Sequence, residues 1–146
     1  MVGMMTDPLI HLPGYVLRRA SIATMKRLND HLSALDLRAT EASLILLIGS
    51  RGGLTQSEAG RILGIKRANM APLTAKLEAR GLLARRQISG RSQELSLTPS
   101  GEQLLVDVRA LIAQHEAETM ARVPQELRAF VMPILLVLWG QDDSPA

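Results

Sequence analysis

Between Leu54 and Gly81 the chain reads LTQSEAGRILGIKRANMAPLTAKLEARG, and this stretch constrains the fold more than any other. Thr55 stands three residues before Glu58, the spacing of a capping box in which each side chain satisfies an amide left unpartnered at a helix start. Gly64 suits the end of the short helix that follows, and Gly81 the end of the next. In the second of these, Ile65, Met70, Leu73 and Leu77 recur close to helical spacing and leave Lys66, Arg67, Asn69 and Lys76 for an outer face. Two short helices joined by a tight glycine-containing turn form a helix-turn-helix pattern.

Pro72 interrupts the second helix and has two readings. If the helix begins near Lys66, Pro72 deletes the bond to the carbonyl of Ala68. If Asn69 is the cap, Pro72 falls in the first turn and no bond is lost. In both cases Ala68, Ala71 and Pro72 make a rigid surface of small residues that can approach another molecule closely.

After Gly81 the period changes. In LLARRQISGRSQELSLT, Leu95 and Leu97 alternate with Glu94 and Ser96, Leu83 precedes Arg85 and Arg86, and SGRS has turn chemistry, which predicts a β-hairpin with a basic tip at Arg91. A helix-turn-helix followed by a hairpin is a winged helix, and duplex DNA explains its parts. The major groove admits one helix whose N-terminal residues reach base edges. An arginine at a hairpin tip suits the narrow minor groove. Thr55 and Gln56, at the start of the first helix, offer free amides to a phosphate. Asn69 is the expected base reader, Arg67 and Lys76 the expected phosphate contacts, with Ala68, Ala71 or Pro72 against thymine methyls. Arg86 is a further phosphate candidate; with Arg85, it also reads as an ordinary strand-edge charge.

The charge distribution supports this reading. From Arg51 to Arg91 there are nine basic and two acidic residues, a net of +7, while the remainder holds eight basic and twelve acidic, a net of −4. A basic middle between slightly acidic flanks fits a polyanion-binding module in a neutral scaffold. Aromatic residues are only 2% of the chain, which nearly excludes stacking platforms for single strands. There is no cysteine, so disulfides, thiolate metal sites and thiol nucleophiles are absent. His11, His31 and His115 are scattered, and neither a glycine-rich phosphate loop nor a GxSxG nucleophile motif occurs. No metal, cofactor or enzymatic activity is expected. The run FVMPILLVLW, Phe130 to Trp139, is about half a bilayer span and contains Pro133, and the N-terminus has no signal-peptide pattern. A cytoplasmic protein without a membrane partner is the expectation.

The flanks are helical. LPGYVLRRASIATMKRLNDHLSAL predicts one long helix whose stripe of Val16, Leu17, Ala20, Ala23, Leu28, Leu32 and Leu35 packs on a partner chain. ATEASLILLIGSRGG predicts a second helix ended by Gly49 with Gly52 and Gly53. Thr98 and Pro99 start a long helix reaching about Pro124, and a very apolar final helix, kinked at Pro133, follows as dimer core. The fold class is thus mainly α with a small β-hairpin wing. It divides into an N-terminal dimerisation helix (1–38), a winged helix-turn-helix (39–98) and C-terminal dimerisation helices (99–146).

At these residues the chain resembles the MarR family of bacterial transcription regulators. ATEASLILLI resembles the helix before that family's helix-turn-helix, Leu54 to Arg86 its recognition unit, and LSLTPSGEQLL its hairpin exit and next helix. The resemblance implies a homodimer reading the two halves of a palindrome in double-stranded DNA. Arg67, Ala68, Asn69, Ala71, Pro72 and Lys76 match its recognition helix, and Arg91 its wing-tip arginine. Ser89 stands where the family usually carries an aspartate, and the hairpin is about two residues shorter than the family's. The resemblance further implies a repressor released by a small ligand, often a phenolic compound or aromatic carboxylate, held between the dimer helices and the winged helix. His11, Tyr15, Arg18, Arg19 and Arg38 are the groups near enough in chain order to serve an anionic ligand. The alternative is a protein-interaction or assembly module on the same fold without specific DNA binding, favoured by the scarcity of polar readers on the recognition helix.

Overall fold

The computed structural model describes residues 7–141, so the outermost parts of segments 1–38 and 99–146 lie outside it. Helix α1 (Pro13–Leu32) opens with Pro13 at its first position, where the missing amide costs no bond. It tightens into a 3-10 turn, Ser33–Leu35, and ends at Asp36, which has a left-handed φ of 52°. Helix α2 (Ala39–Ser50) begins where the Arg38 amide donates to Glu41 Oε2 at 2.8 Å and the Ala39 amide to Asn29 Oδ1 at 2.7 Å. Gly49 does not end α2, as the sequence suggested; the helix continues to Ser50. Its missing side chain is used elsewhere, because a Cβ there lies 2.3 Å from Leu105 Cδ2 on the next long helix.

Strand β1 (Leu54–Thr55) leads into α3 (Gln56–Leu63), then come α4 (Arg67–Ala79), β2 (Leu83–Ser89) and β3 (Ser92–Leu97). The hairpin is therefore part of a three-stranded antiparallel sheet in the order β1-β3-β2, with Leu54 opposite Leu95 and Leu83 opposite Leu97. β1 was not expected, since two residues are too few to show strand alternation. Thr98 caps α5 (Pro99–Ala121) by accepting from the Gly101 amide at 3.1 Å. α5 stops at Ala121, short of Pro124, and a 3-10 turn, Gln125–Leu127, precedes α6 (Arg128–Trp139). α6 runs through Pro133 as one helix and lacks only the bond that a proline amide cannot make.

One core holds these elements together. Leu44, Ile45 and Ile48 of α2 meet Met70 and Leu77 of α4, Leu95 of β3, and Leu105 and Val108 of α5, with Leu32 closing the α1 end. The apolar run in α2 is thus buried on most sides, as its lack of alternation requires. The two ends of the chain behave differently. Val16, Leu17, Ile22 and Met25 of α1 are exposed, and α6 has no buried residue although it is almost wholly apolar, with Phe130 59% and Trp139 71% exposed.

Candidate DNA interface

The capping box is present. The Thr55 amide donates to Glu58 Oε2 at 2.9 Å and the Glu58 amide to Thr55 Oγ1 at 3.2 Å. These bonds to the Thr55 amide and hydroxyl hold the Glu58 carboxyl below its ordinary pKa. Gly64, at φ 66°, reverses the chain and carries the Ile65 amide back to the Gly60 carbonyl at 2.8 Å. Gly60 allows the close approach of α3 and α4, for a Cβ there meets Met70 Cγ at 2.8 Å.

Lys66 is the backbone cap of α4, with extended geometry, and the Asn69 amide donates to its carbonyl at 2.8 Å. Asn69 is therefore inside the helix and not its cap. Pro72, at the sixth helical position, deletes the bond to the Ala68 carbonyl, which settles the two readings in favour of the first. Buried Met70, Thr74 and Leu77 anchor the inner face, and Arg67, Ala68, Asn69, Ala71 and Pro72 are all exposed together on the outer one. Among the described residues the Asn69 side chain makes no hydrogen bond within the chain. Arg67 lines the cleft between α3 and α4, about 500 Å³, with Arg61, Gln56 and Ser57. Arg91 sits exposed in the two-residue turn between β2 and β3.

Several predicted contacts have partners inside the chain. Lys76 Nζ donates to Glu41 Oε1 at 2.5 Å, so the expected phosphate contact is here half of an ion pair with a buried carboxylate. Arg86 Nε donates to Glu94 Oε1 at 2.7 Å across the β2–β3 ladder, where the two residues stand directly opposite. The Gln56 side chain is engaged by Thr74, whose hydroxyl donates to Gln56 Oε1 at 2.9 Å, and by Arg85 Nη2 at 2.7 Å. Arg85 Nε also donates to Glu78 Oε1 at 2.6 Å. This node joins α3, α4 and β2, and no sequence signal marks it, because the bonds that join the elements link residues 7 to 29 positions apart.

The five expected ligand groups do not converge within one chain. The Tyr15 hydroxyl donates to the Asp7 carboxylate, Arg19 Nη1 donates to Tyr15 Oη at 3.2 Å, and the Arg19 guanidinium stands 5.9 Å from the Tyr15 ring centroid. His11 and Arg18 are exposed near the same end of α1. Arg38 lies beyond the opposite end, and a helix of 20 residues spans about 30 Å. His31 and His115 meet edge to face at 6.0 Å between α1 and α5, with His31 Nε2 2.8 Å from Glu118 Oε2. Among the described residues, no cluster of three metal-ligating side chains occurs, and no helix is long and apolar enough to cross a membrane.

Comparison with known proteins agrees with this geometry. The family model described as "MarR family" matches residues 35–91, which contain α2, β1, α3, α4, β2 and the turn arginine. A Thauera aromatica protein assigned to transcriptional regulation of the hcr operon is 25% identical over 142 residues, covering 91% of this chain and 82% of that protein. The transcriptional repressor CouR bound to a 23-mer DNA duplex superimposes with a TM-score of 0.83 at 28% identity, covering 89% of this chain and 94% of that one. CouR bound to p-coumaroyl-CoA gives a TM-score of 0.83 at 28% identity, with coverage of 92% and 96%.

Proposed function

We propose that this chain, whose residues 35–91 match the MarR family model, is a homodimeric, sequence-specific DNA-binding transcription regulator, a repressor released by a small aromatic acid or its CoA thioester. The observation that carries this reading is the outer face of α4. Arg67 to Pro72 are exposed at its N-terminal end, held from behind by buried Met70 and flanked by a basic wing tip. Asn69 reads a base edge, Arg67 and the Gln56 amide at the start of α3 take phosphates, the Thr55 amide being engaged by Glu58, and Arg91 enters the minor groove. Ala68, Ala71 and Pro72 set close apolar contact with the groove floor. Arg86 contributes from the wing once DNA competes for its pairing with Glu94.

The dimer follows from the two ends of the chain. The apolar residues that α1 and α6 leave exposed form more unpartnered surface than a monomer of this size keeps, and a second copy is its natural cover. Residues 1–38 and 99–146 then serve as arms and 39–98 as the reading head. Two heads enter successive major grooves when their α4 helices stand about 34 to 36 Å apart. A ligand with unequal affinity for matched and mismatched spacings shifts the balance between them. Tyr15, Arg19, Arg18 and His11, gathered at one end of α1, supply the cations and the aromatic face for such an acid. That CouR is known with both a DNA duplex and an aromatic acyl-CoA supports the pairing of the two functions.

Affinity for duplex DNA from the chain's own upstream region, compared with a scrambled duplex across a salt series, tests this reading. Preference for the upstream duplex, a steep loss of affinity with salt and release by an aromatic acyl-CoA are expected. Equal, weak binding to both duplexes overturns it and leaves the protein-interaction module as the function of the fold.

A further inference from the structure

The C-terminal half of α4 is tied to the corner between α1 and α2 by contacts that the DNA-reading role does not use. Lys76 Nζ donates to Glu41 Oε1 at 2.5 Å. One turn further on, Arg80 Nη1 donates to the Asp36 carbonyl at 2.7 Å and Nη2 to the Leu35 carbonyl at 3.2 Å. Glu41 is only 4% exposed, and its second oxygen accepts from the Arg38 amide at 2.8 Å. A single carboxylate therefore closes the first turn of α2 and holds the recognition helix, directly beside the turn into which α1 runs.

The energetics favour a fixed clamp over a DNA contact. Lys76 is half exposed but Glu41 is buried, so withdrawing the cation strands a carboxylate that keeps only its bond from the Arg38 amide. That cost opposes any transfer of Lys76 to a phosphate. The node of Gln56, Thr74, Glu78 and Arg85 fastens the other flank of α4 to α3 and the wing, which leaves the Glu41 clamp and the two Arg80 bonds as the polar links between α4 and the corner where α1 runs into α2. Leverage is considerable: Lys76 is nine residues from Arg67, about 14 Å along the helix, so a tilt of about 5° at the clamp moves the base-reading end by about 1 Å.

We propose that Glu41 and Lys76 are positioning residues, a clamp through which the orientation of α1 sets the angle at which α4 meets DNA. The inference rests on the reading of α4 as the DNA-reading helix. Glu41→Gln, Lys76→Met, their combination and Lys76→Arg are compared with the parent for affinity to the upstream and scrambled duplexes across the same salt series. Circular dichroism checks that each variant is folded.

Each single substitution lowers affinity for the upstream duplex about tenfold with an unchanged salt slope, and the double variant is no worse than either. Lys76→Arg restores most of the loss. The opposite pattern identifies Lys76 as a phosphate ligand and overturns the clamp: a salt slope reduced by about 1 in Lys76→Met, and higher affinity in Glu41→Gln, which frees the cation and removes a negative charge. Unchanged affinity in both singles overturns it equally. Should Glu41→Gln not fold, the salt slope of Lys76→Met, which alters a half-exposed side chain, decides between the two. A parent protein with no preference between the duplexes contradicts the DNA-reading role itself, and that failure is visible before any variant is compared.

Discussion

Asn69 is the one polar side chain in the exposed run from Ala68 to Pro72, so whatever direct base readout this face performs passes largely through it. Asn69→Ala is expected to cost about 1–3 kcal/mol of preference for the upstream duplex while leaving nonspecific binding nearly unchanged. Arg91→Ala, at the wing tip, is expected to weaken binding to both duplexes and to reduce the salt slope by about 1 per head, read by fluorescence anisotropy. Glu41 makes a different prediction, one about stability. Burial raises its pKa, but the bond from Lys76, the Arg38 amide and the charges of Lys76 and Arg80 outweigh burial and hold the carboxyl below its ordinary value. The resulting stabilisation is complete above the ordinary carboxylate pKa and is lost as pH falls through the lowered one. The urea midpoint of the parent should therefore fall on acidification from about pH 5 downward, and that of Glu41→Gln should fall less.

At the scale of the element, the role proposed for α4 rests on its having one buried and one exposed face. Met70→Ala empties a site that is 1% exposed against Gly60, and a loss of about 2–5 kcal/mol is expected, measured by thermal or urea unfolding. The elements that carry a local signal were legible in the sequence. Thr55 with Glu58, Gly64, Gly81, and Thr98 before Pro99 mark helix ends through residues no more than three positions apart, and the SGRS turn places the wing. What joins the elements was not legible. The Glu41–Lys76 pair spans 35 positions and the Arg85–Gln56 bond 29, so each cation looked like a free basic residue on an outer face. Gly49 misled for a related reason: glycine marks both helix ends and close helix packing, and the Leu105 side chain that distinguishes the two is remote in sequence.

For the whole molecule, the proposed function needs two copies acting together. Phe130, Ile134, Val137 and Leu138 of α6 are all more than half exposed in the single chain, which no packed monomer requires. Val137→Glu with Leu138→Glu is expected to convert a dimer to a monomer by light scattering and to abolish tight binding to the palindrome while leaving the reading head folded. The basic middle then acts twice on one duplex. Inserting five base pairs between the half-sites turns them by half a helical turn and should remove the gain from the second head. The most direct test of the central claim, that the N-terminal face of α4 reads DNA sequence, is the ratio of affinities for the upstream and scrambled duplexes in the parent and in Asn69→Ala. A ratio well above one in the parent that falls at least several-fold in the variant is the predicted result. A ratio that Asn69→Ala leaves unchanged contradicts the claim.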